Sequence, residues 1–461
     1  MKHFKNVLYA VLFLISICFT SCKKFLDEKS NKAITVPTTI NDAQSLLDNA
    51  LYENNYVNDN AGSIMDDDYY VLDSYYDGRS ITARNQIIWD PAAMGSVTNW
   101  QLAYSVVNTA NVALETLNKL SPAPNEISDY NLAKGSALFF RAFAHFNVSQ
   151  IYTLPYQAST AGQNPGIPYK VKGDINEPTL RSSLLITFQQ IADDLKEASK
   201  ILPLTTNYFT RPTKPAAFGM LARVYLVIGD YQNAYNYADS ALKINNQLLD
   251  YKQLTIPSPT STTNPFPDWG FDNSTRNPEV LFFSNSSPLG AFSSLLSDTV
   301  LYMSYSSNDL RKSLYYYRGS DGRYRWRGGY RKSGMFSGVA TDEIYLIRSE
   351  CSARLNNVTG AMNDLNTLLR KRYNNTFVDL TAPDAQTALS LIIAERRKEL
   401  TRRGNLRWYD IRRLNLEPSF AKTLIRVQHG ITYTLPPNDL RYALLIPIEV
   451  IQNSGIEQNK R

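Results

Sequence analysis

Residues 216–243, AAFGMLARVYLVIGDYQNAYNYADSALK, limit what this chain can fold into more than any other stretch. Apolar side chains recur there every three or four positions, the period of one face of an α-helix. Gly229-Asp230 interrupts the pattern and marks a turn between two helices. Phe218, Leu221, Ala222, Tyr225, Ala234 and Ala241 hold fixed offsets within the pair. The small residues let the helices approach, and the large ones fill the seam. A single two-helix unit leaves one face without a partner, so further units must stack on it.

Those offsets are the ones of a tetratricopeptide repeat, with Ala238 in place of the usual aromatic and Asn246 in place of the closing Pro. A weaker pair follows at 342–371, EIYLIRSECSARL then GAMNDLNTLLRK. Upstream, Asn41 to Glu53 reads as a first helix, and a long helical block begins near Val97. It carries TANVALETLNKL at 109–120 and ALFFRAFAHFNVSQIY at 137–152, and is interrupted by Pro155, Pro165 and Pro168. Leu184 to Leu202 is amphipathic up to Pro203, and Thr387 to Arg403 forms a further helix. The expected fold is mainly α: a tetratricopeptide-like helical-repeat scaffold, with the 109–202 helices as companions of the 216–243 pair.

Two stretches break this pattern. Residues 54–95 are loop-like, rich in Asn, Asp, Gly and Tyr. Residues 255–338 are broken by Pro257, Pro259, Pro265 and Pro267, yet hold Phe266, Trp269, Phe271, Tyr302, Tyr305, Tyr315 to Tyr317, Tyr324, Trp326 and Tyr330. Long aromatic-rich loop regions inside a helical protein are usually functional or act as lids.

The N-terminus points outside the cytoplasm. Lys2 and Lys5 precede an uncharged apolar run, Val7 to Phe19, which is the pattern of a secretory signal peptide. As a helix it would reach roughly 20 Å, short of the ~30 Å hydrocarbon core of a membrane. The run ends in Phe19-Thr20-Ser21-Cys22, similar to a bacterial lipobox, with Phe19 where Leu is more usual. On that reading residues 1–21 are a lipoprotein signal peptide, Cys22 carries lipid, 22–40 form a tether and 41–461 the folded domain. Each buried methylene is worth about 0.8 kcal/mol, so several acyl chains on Cys22 anchor durably. Of the three cysteines, Cys18 leaves with the signal and Cys351 remains as a small buried apolar side chain, without a disulfide partner. A net charge of +6 on an exported chain does not mark a nucleic-acid binder.

Several segments, in order, resemble one family. After the lipobox comes Lys23-Lys24-Phe25-Leu26-Asp27; then NTANVALETL, RAFAHFNVSQIYTLPY and IADDLKEASKILP; then DEIYLIRSECSARLNNVTGAMNDLNTLLRKR at 342–372 and IIAERRKELTRRGNLRWYDIRRL at 392–414. The chain closes with LLIPIEVIQNSGIEQN, where Lys460-Arg461 replaces the usual Pro-Gly. Together these are similar to the SusD-like (RagB/SusD) nutrient-uptake family. The likeness covers most of the mature chain except 54–95 and 255–338. It implies a non-enzymatic, lipid-anchored outer-membrane protein exposed at the cell surface. Such a protein captures a glycan or another nutrient and hands it to a SusC-type TonB-dependent transporter, and its ligand is met in the two variable stretches. The resemblance implies no cofactor.

The residues themselves carry few other chemistries. Glu399 and Arg403 stand four apart and are expected to pair on one helix, with Glu395 and Asp410 offsetting the neighbouring arginines. Trp408, Trp89 and Trp100 read as core. Asp66-Asp67-Asp68 lacks the Gly and distant Glu of a calcium loop and reads as a solvated loop. His3, His145 and His429 have no metal-ligand spacing, and no metal site is expected. No Gly-x-Ser-x-Gly or HExxH motif is present, and no catalytic residue is assigned.

Flat aromatics cover the apolar face of a sugar while neighbouring polar groups bond its rim. Tyr75 and Tyr76 are bracketed by Asp73, Asp77 and Arg79; Trp269 by Asp268 and Asp272; Trp326 by Arg325 and Arg327. These four aromatics are the candidate ligand contacts, and packing within their own loops is the competing role for each. Two other classes stay open at this point: a lipid-anchored repeat scaffold that binds only proteins, and a glycan-cleaving lipoprotein built on paired carboxylates.

Overall fold

Short polar side chains fix where the helices start. The computed structural model describes residues 36–174, 176–267, 277–287, 294–330 and 334–461. The chain divides into Met1–Thr38 and Thr39–Arg461, and every element below belongs to the second unit. Thr39 caps α1 (Ile40–Leu47) in a reciprocal box with Asp42. Ser96 caps α2 (Val97–Leu117). After α3 (Ile127–Tyr152), Ser183 caps α4 (Leu184–Ile201) and Thr213 caps α5 (Lys214–Ile228). Gly229 ends α5 at a φ of 79°, and Asp230 at once caps α6 (Tyr231–Ile244). The positive φ is why the turn needs glycine. In the last third come α7 (Thr341–Arg354), α8 (Val358–Leu369) capped by Asn357, α9 (Ala385–Glu399) capped by Asp384, and α10 (Leu406–Leu414).

Successive helices pack side by side: α2 on α3, α3 on α4, α4 on α5, α5 on α6, α6 on α7, α7 on α8 and α9. The tetratricopeptide-like scaffold read from the sequence is the observed one. Ala222, Ala234, Ala238 and Ala241 are fully buried in the α5–α6 seam and its neighbours. In α3 every residue from Gly135 to Tyr152 is buried, so this helix is the axis on which the others lean. Arginine–carboxylate pairs lock the helices to one another. Arg141 of α3 forks onto Asp194 of α4 at 2.6 and 2.7 Å and donates to Asn111 of α2. Arg223 of α5 forks onto Glu343 of α7, and Arg348 of α7 reaches Asp239 of α6 and Asp364 of α8.

The two aromatic-rich stretches are folded onto this frame. Residues 54–95 form short helices (Ala61–Met65, Asp73–Asp77, Ile81–Ile87) and strand β1 (Tyr69–Tyr70), more structure than the expected loop. Strand Val280–Phe282 pairs with Val339–Ala340, so the second stretch leaves and rejoins the scaffold at one point. There Phe282 packs edge-on against Phe139, Phe140 and Phe143 of α3. Between these ends lie β2 (Leu296–Ser297), β3 (Tyr316–Arg318) and β4 (Tyr324–Trp326). A hairpin, β5 (Leu424–Gln428) and β6 (Ile431–Leu435), follows α10. His429 and Gly430 both have positive φ, the two-residue turn that suits strand twist.

Two expectations need correction. The helix expected to reach Arg403 ends at Glu399, because Arg402 turns left-handed at a φ of 57°. The expected Glu399–Arg403 pair does not form: Glu399 binds Arg311 and Arg372, and Arg403 binds Asp342. Asp410 offsets Arg396 and Arg413 as the sequence suggests; Arg413 also pairs with Glu350, and Arg412 donates to the Thr153 carbonyl. Trp408, Trp89 and Trp100 are buried, as is Cys351, whose thiol burial pushes up from its ordinary value.

Glu53 sits 1% exposed beside Thr109 of α2, and burial pushes its carboxyl up to about 9. The folded chain therefore keeps a proton that the unfolded chain releases above 4.5. Between those values folding must take up a proton, so stability falls as pH rises. Glu53→Gln needs no proton and is expected to flatten this decline. Urea unfolding at about pH 5 and about pH 8 reads it; equal pH slopes in the two proteins would mean that Glu53 ionises in place.

Candidate ligand-binding site

The two variable stretches meet in one small antiparallel sheet. Its order is β1-β2-β4-β3, so the first stretch supplies an edge strand to three strands of the second. The register sets Tyr70 opposite Leu296, Leu296 opposite Arg325, and Arg325 opposite Tyr317. Cross-strand partners share a face, so Tyr70, Arg325 and Tyr317 lie on one side of the sheet. Arg325 is held flat by a two-point contact to Asp321, both distances 2.7 Å. At the rim of the other side, Tyr324 stacks on Tyr302 with ring centres 3.6 Å apart and planes 18° apart. Val300 and Met303 flank Tyr302 on its short helix and are each 71% exposed.

Beside β1 lies a cleft of about 400 Å³, lined by Tyr70, Trp89, Asp298, Lys422 and the outward residues Ile425 and Val427 of the hairpin. Its volume falls within the range of small-molecule sites, about 300–1,000 Å³. Its floor is a charged joint. Asp67 accepts from Arg407 and Lys422, each at 2.6 Å, and lies 3.4 Å from Arg397. Burial opposes its ionisation, but Arg407 and Arg397 outweigh burial and hold its carboxyl well below the usual range. Asp68 contacts Arg397, and Asp66 is pushed up to about 7 by burial and by the charge of Asp68. The Asp66-Asp67-Asp68 run is thus a buried joint, not the solvated loop expected. Its cations come from more than 300 positions downstream, beyond the reach of local pattern.

The hairpin wall is fixed from the same segment. Arg426 donates to the carbonyls of Ile64, Ile87 and Asp66, and its guanidinium lies over the rings of Tyr69 and Trp89. At the hairpin tip, His429 Nε2 is 2.8 Å from Asp77, which raises its pKa.

Of the four aromatics expected to meet ligand, Tyr75 and Tyr76 are half-buried on the Asp73–Asp77 helix next to the hairpin tip. Arg79 lies 4.3 Å over the Tyr75 ring, and Tyr76 meets His429 edge-on. Both also lean on the small core of Ile64, Tyr69, Val71 and Ile87. Trp269 lies outside the described residues. Trp326 is 4% exposed and packs among Tyr251, Phe266, Tyr315 and Tyr316, so its ring offers no open face. The alternation of β4 explains this: with Trp326 turned inward, Arg325 turns to the other side. Sequence reasoning missed Tyr70, Tyr302, Tyr324 and the hairpin. The signal for the hairpin was present in LIRVQHGITYTL, a period-two pattern around a His-Gly turn.

Among the described residues, no group of His, Cys, Asp or Glu is disposed to hold a metal ion, and no helix is long and apolar enough to cross a membrane. Both carboxylates lining the cleft are engaged. Asp67 serves the joint, and Asp298 caps its helix through the Leu301 N–H at 2.7 Å. Neither carboxylate stands free in the cleft.

A stacked helical-repeat frame carrying folded aromatic-rich insertions defines the architecture, and known proteins share it. Two family models match the chain. One, described as starch-binding and associating with the outer membrane, covers residues 24–226; the other, the SusD family itself, covers 341–454. The chain belongs to the SusD-like (RagB/SusD) family. It is 29% identical over 171 residues to SusD-like protein P2 of Formosa agariphila, a match spanning 37% of this chain and 31% of that protein. The fold is shared with SusD superfamily proteins of Bacteroides vulgatus (TM-score 0.71, 18% identity) and Bacteroides thetaiotaomicron (TM-score 0.70, 20% identity). Each alignment covers 92% of this chain and 99% or 100% of the other. A SusD-like carbohydrate binding protein from Bacteroides vulgatus aligns at a TM-score of 0.66, with 20% identity over 91% of this chain and 97% of that one.

The joint beneath the cleft can be tested directly. Asp67→Ala leaves Arg407 and Lys422 without their shared anion and is expected to cost about 3–5 kcal/mol in urea unfolding. The double variant Asp67→Leu with Arg407→Met should recover part of that loss. A single variant as stable as the wild type would mean that the pair holds nothing.

Proposed function

We propose that this protein is a cell-surface lipoprotein that captures a glycan in the aromatic cleft and delivers it to a TonB-dependent outer-membrane transporter. The observation that carries the reading is the small sheet. It sets Tyr70 of the first stretch on the same face as Arg325 and Tyr317 of the second, and Tyr70 lines the cleft. Aromatic rings beside a guanidinium and amides suit a sugar, whose C–H face is apolar and whose rim is polar. The family description as starch-binding, and the carbohydrate binding named for the Bacteroides vulgatus relative, support the same ligand class. Tyr75 and Tyr76 are kept as outer contacts next to the hairpin, Trp269 remains a candidate from sequence alone, and Trp326, being buried, is given up.

Acylation of Cys22 would hold the protein at the outer membrane, and a SusC-type transporter would take up what it captures. The family resemblance supports both.

Glycan-array screening followed by calorimetry on the soluble chain from residue 24 onward tests the ligand. Tyr70→Ala is expected to weaken binding about tenfold or more, a loss of about 1.4 kcal/mol. Unchanged affinity would remove the cleft as the site. Mild detergent extraction of the tagged, full-length chain tests the partner: a TonB-dependent barrel should co-purify, and the Cys22→Ala chain should move to the soluble fraction. Recovery of the wild-type chain alone, with its neighbouring transporter expressed, would count against delivery to a barrel.

A further inference from the structure

A second cavity lies on the scaffold itself and shares no lining residue with the cleft. It measures about 580 Å³ and sits between α2, the strap that follows Pro168, and the C-terminal helix Ile448–Ser454. Its construction begins with α2. Trp100 and Tyr104, one helical turn apart, bring their rings to 5.0 Å with planes tilted by 30°. The Tyr104 hydroxyl donates to the Pro168 carbonyl at 2.8 Å, which fixes that ring and the start of the strap together. Further along α2, Asn111 donates to the carbonyls of Lys170 and Lys172, and Glu115 accepts the Gly173 N–H at 2.8 Å. The strap is therefore bonded to the helix beneath it along its length, and the cavity is a built feature of the frame.

The lining decides what such a cavity would hold. Its two cations, Lys170 and Lys172, are balanced by two carboxylates in the same lining, Asp174 and Glu177. Lys170 Nζ donates to the carbonyls of Glu177 and Pro178, and Lys172 pairs with Glu177 at 3.1 Å. An anionic ligand would gain little from them. The side-chain amides of Gln101, Asn108 and Asn453 also line the cavity. None of the three has a hydrogen-bond partner among the described residues. Amides offer both donors and acceptors, which match hydroxyl groups of either sense. An aromatic wall with a rim of unengaged amides and no net free charge is the chemistry of a neutral polyol.

We infer that this cavity is a second binding site, for a short neutral saccharide, placed on the helical frame rather than in the aromatic-rich stretches. The inference rests on the reading of the protein as a glycan binder. A chain with two separate sugar sites can hold two points of one long glycan, or two glycans at once, and the gain from linked sites needs no new contact.

The test uses the soluble chain from residue 24 onward with neutral malto-, cello- and xylo-oligosaccharides and their acidic counterparts. Calorimetry gives the stoichiometry, and an array gives the ligand range. Asn108→Trp places a large ring in the cavity from a half-buried position that bonds to nothing. It is expected to lower the stoichiometry for a short neutral ligand from two per chain to one. Tyr70→Ala should remove the other site and leave this one. If Asn108→Trp melts early, the double variant Gln101→Ala with Asn108→Ala serves instead, with affinity at this site falling about tenfold or more. One site per chain in the wild type, or full retention of both sites in the cavity variants, overturns the inference and leaves the cleft untouched. Preference of the cavity for acidic sugars overturns the neutral class. A wild-type chain that binds no glycan on the array overturns this inference and the proposed function together.

Discussion

Glu399 holds the insertion to the frame. It is the last residue of α9, and its two oxygens accept from Arg372 at 2.7 Å and from Arg311 at 3.0 Å. Arg311 belongs to the second variable stretch and is itself gripped by Asp309 and Glu395. Arg372 reaches on to Glu279 and to the Leu249 carbonyl. All these groups are out of contact with water. Charges buried in this way add little net stability over apolar packing, but leaving one of them alone is severely unfavourable. The network therefore works as a register device: a misplaced insertion would strand a full charge, so the small sheet and its cleft can sit in one position only.

The same logic organises the scaffold. Alanines set how closely the α5 and α6 helices approach, and forked arginines between α2, α3 and α4 or between α5 and α7 set how far each may slide. Arginine suits this because its guanidinium offers donors in a rigid fork. The cleft inherits its rigidity from two of these clamps, Asp67 with Arg407 below and Arg426 with three backbone carbonyls at the side. Ligand groups at the cleft can thus be exposed without being loose.

How much of this was legible in the sequence follows from the range of the interactions. Helices show through a period of three to four residues and through their caps, and Ser183, Thr213 and Asp230 stand where the helices begin. The α5–α6 pair was legible down to Gly229. Pairings across hundreds of residues leave no local trace. Asp66-Asp67-Asp68 looks like a solvated loop until Arg397, Arg407 and Lys422 are brought to it. Trp326 looks like a platform until the alternation of β4 turns it inward and Arg325 to the opposite face. Glu399 and Arg403 look like a helical pair until the backbone at Arg402 turns left-handed. The aromatic stretches could be singled out as insertions on the helical frame, but the rings within them could not be sorted before their strands were paired.

The Asp67–Arg407 clamp joins residues 340 positions apart, and this bears on how the chain is made. At roughly 5–20 residues per second, the ribosome needs on the order of 17–70 s to deliver the second partner after the first. Through that interval Asp67 lacks the cations it is buried against in the folded chain, so this joint cannot close. Folds dominated by such distant contacts assemble slowly. Under the proposed cell-surface location the chain crosses a membrane before it folds, and slowness is then an advantage: the 54–95 stretch stays unlocked until the arginines of the last third arrive.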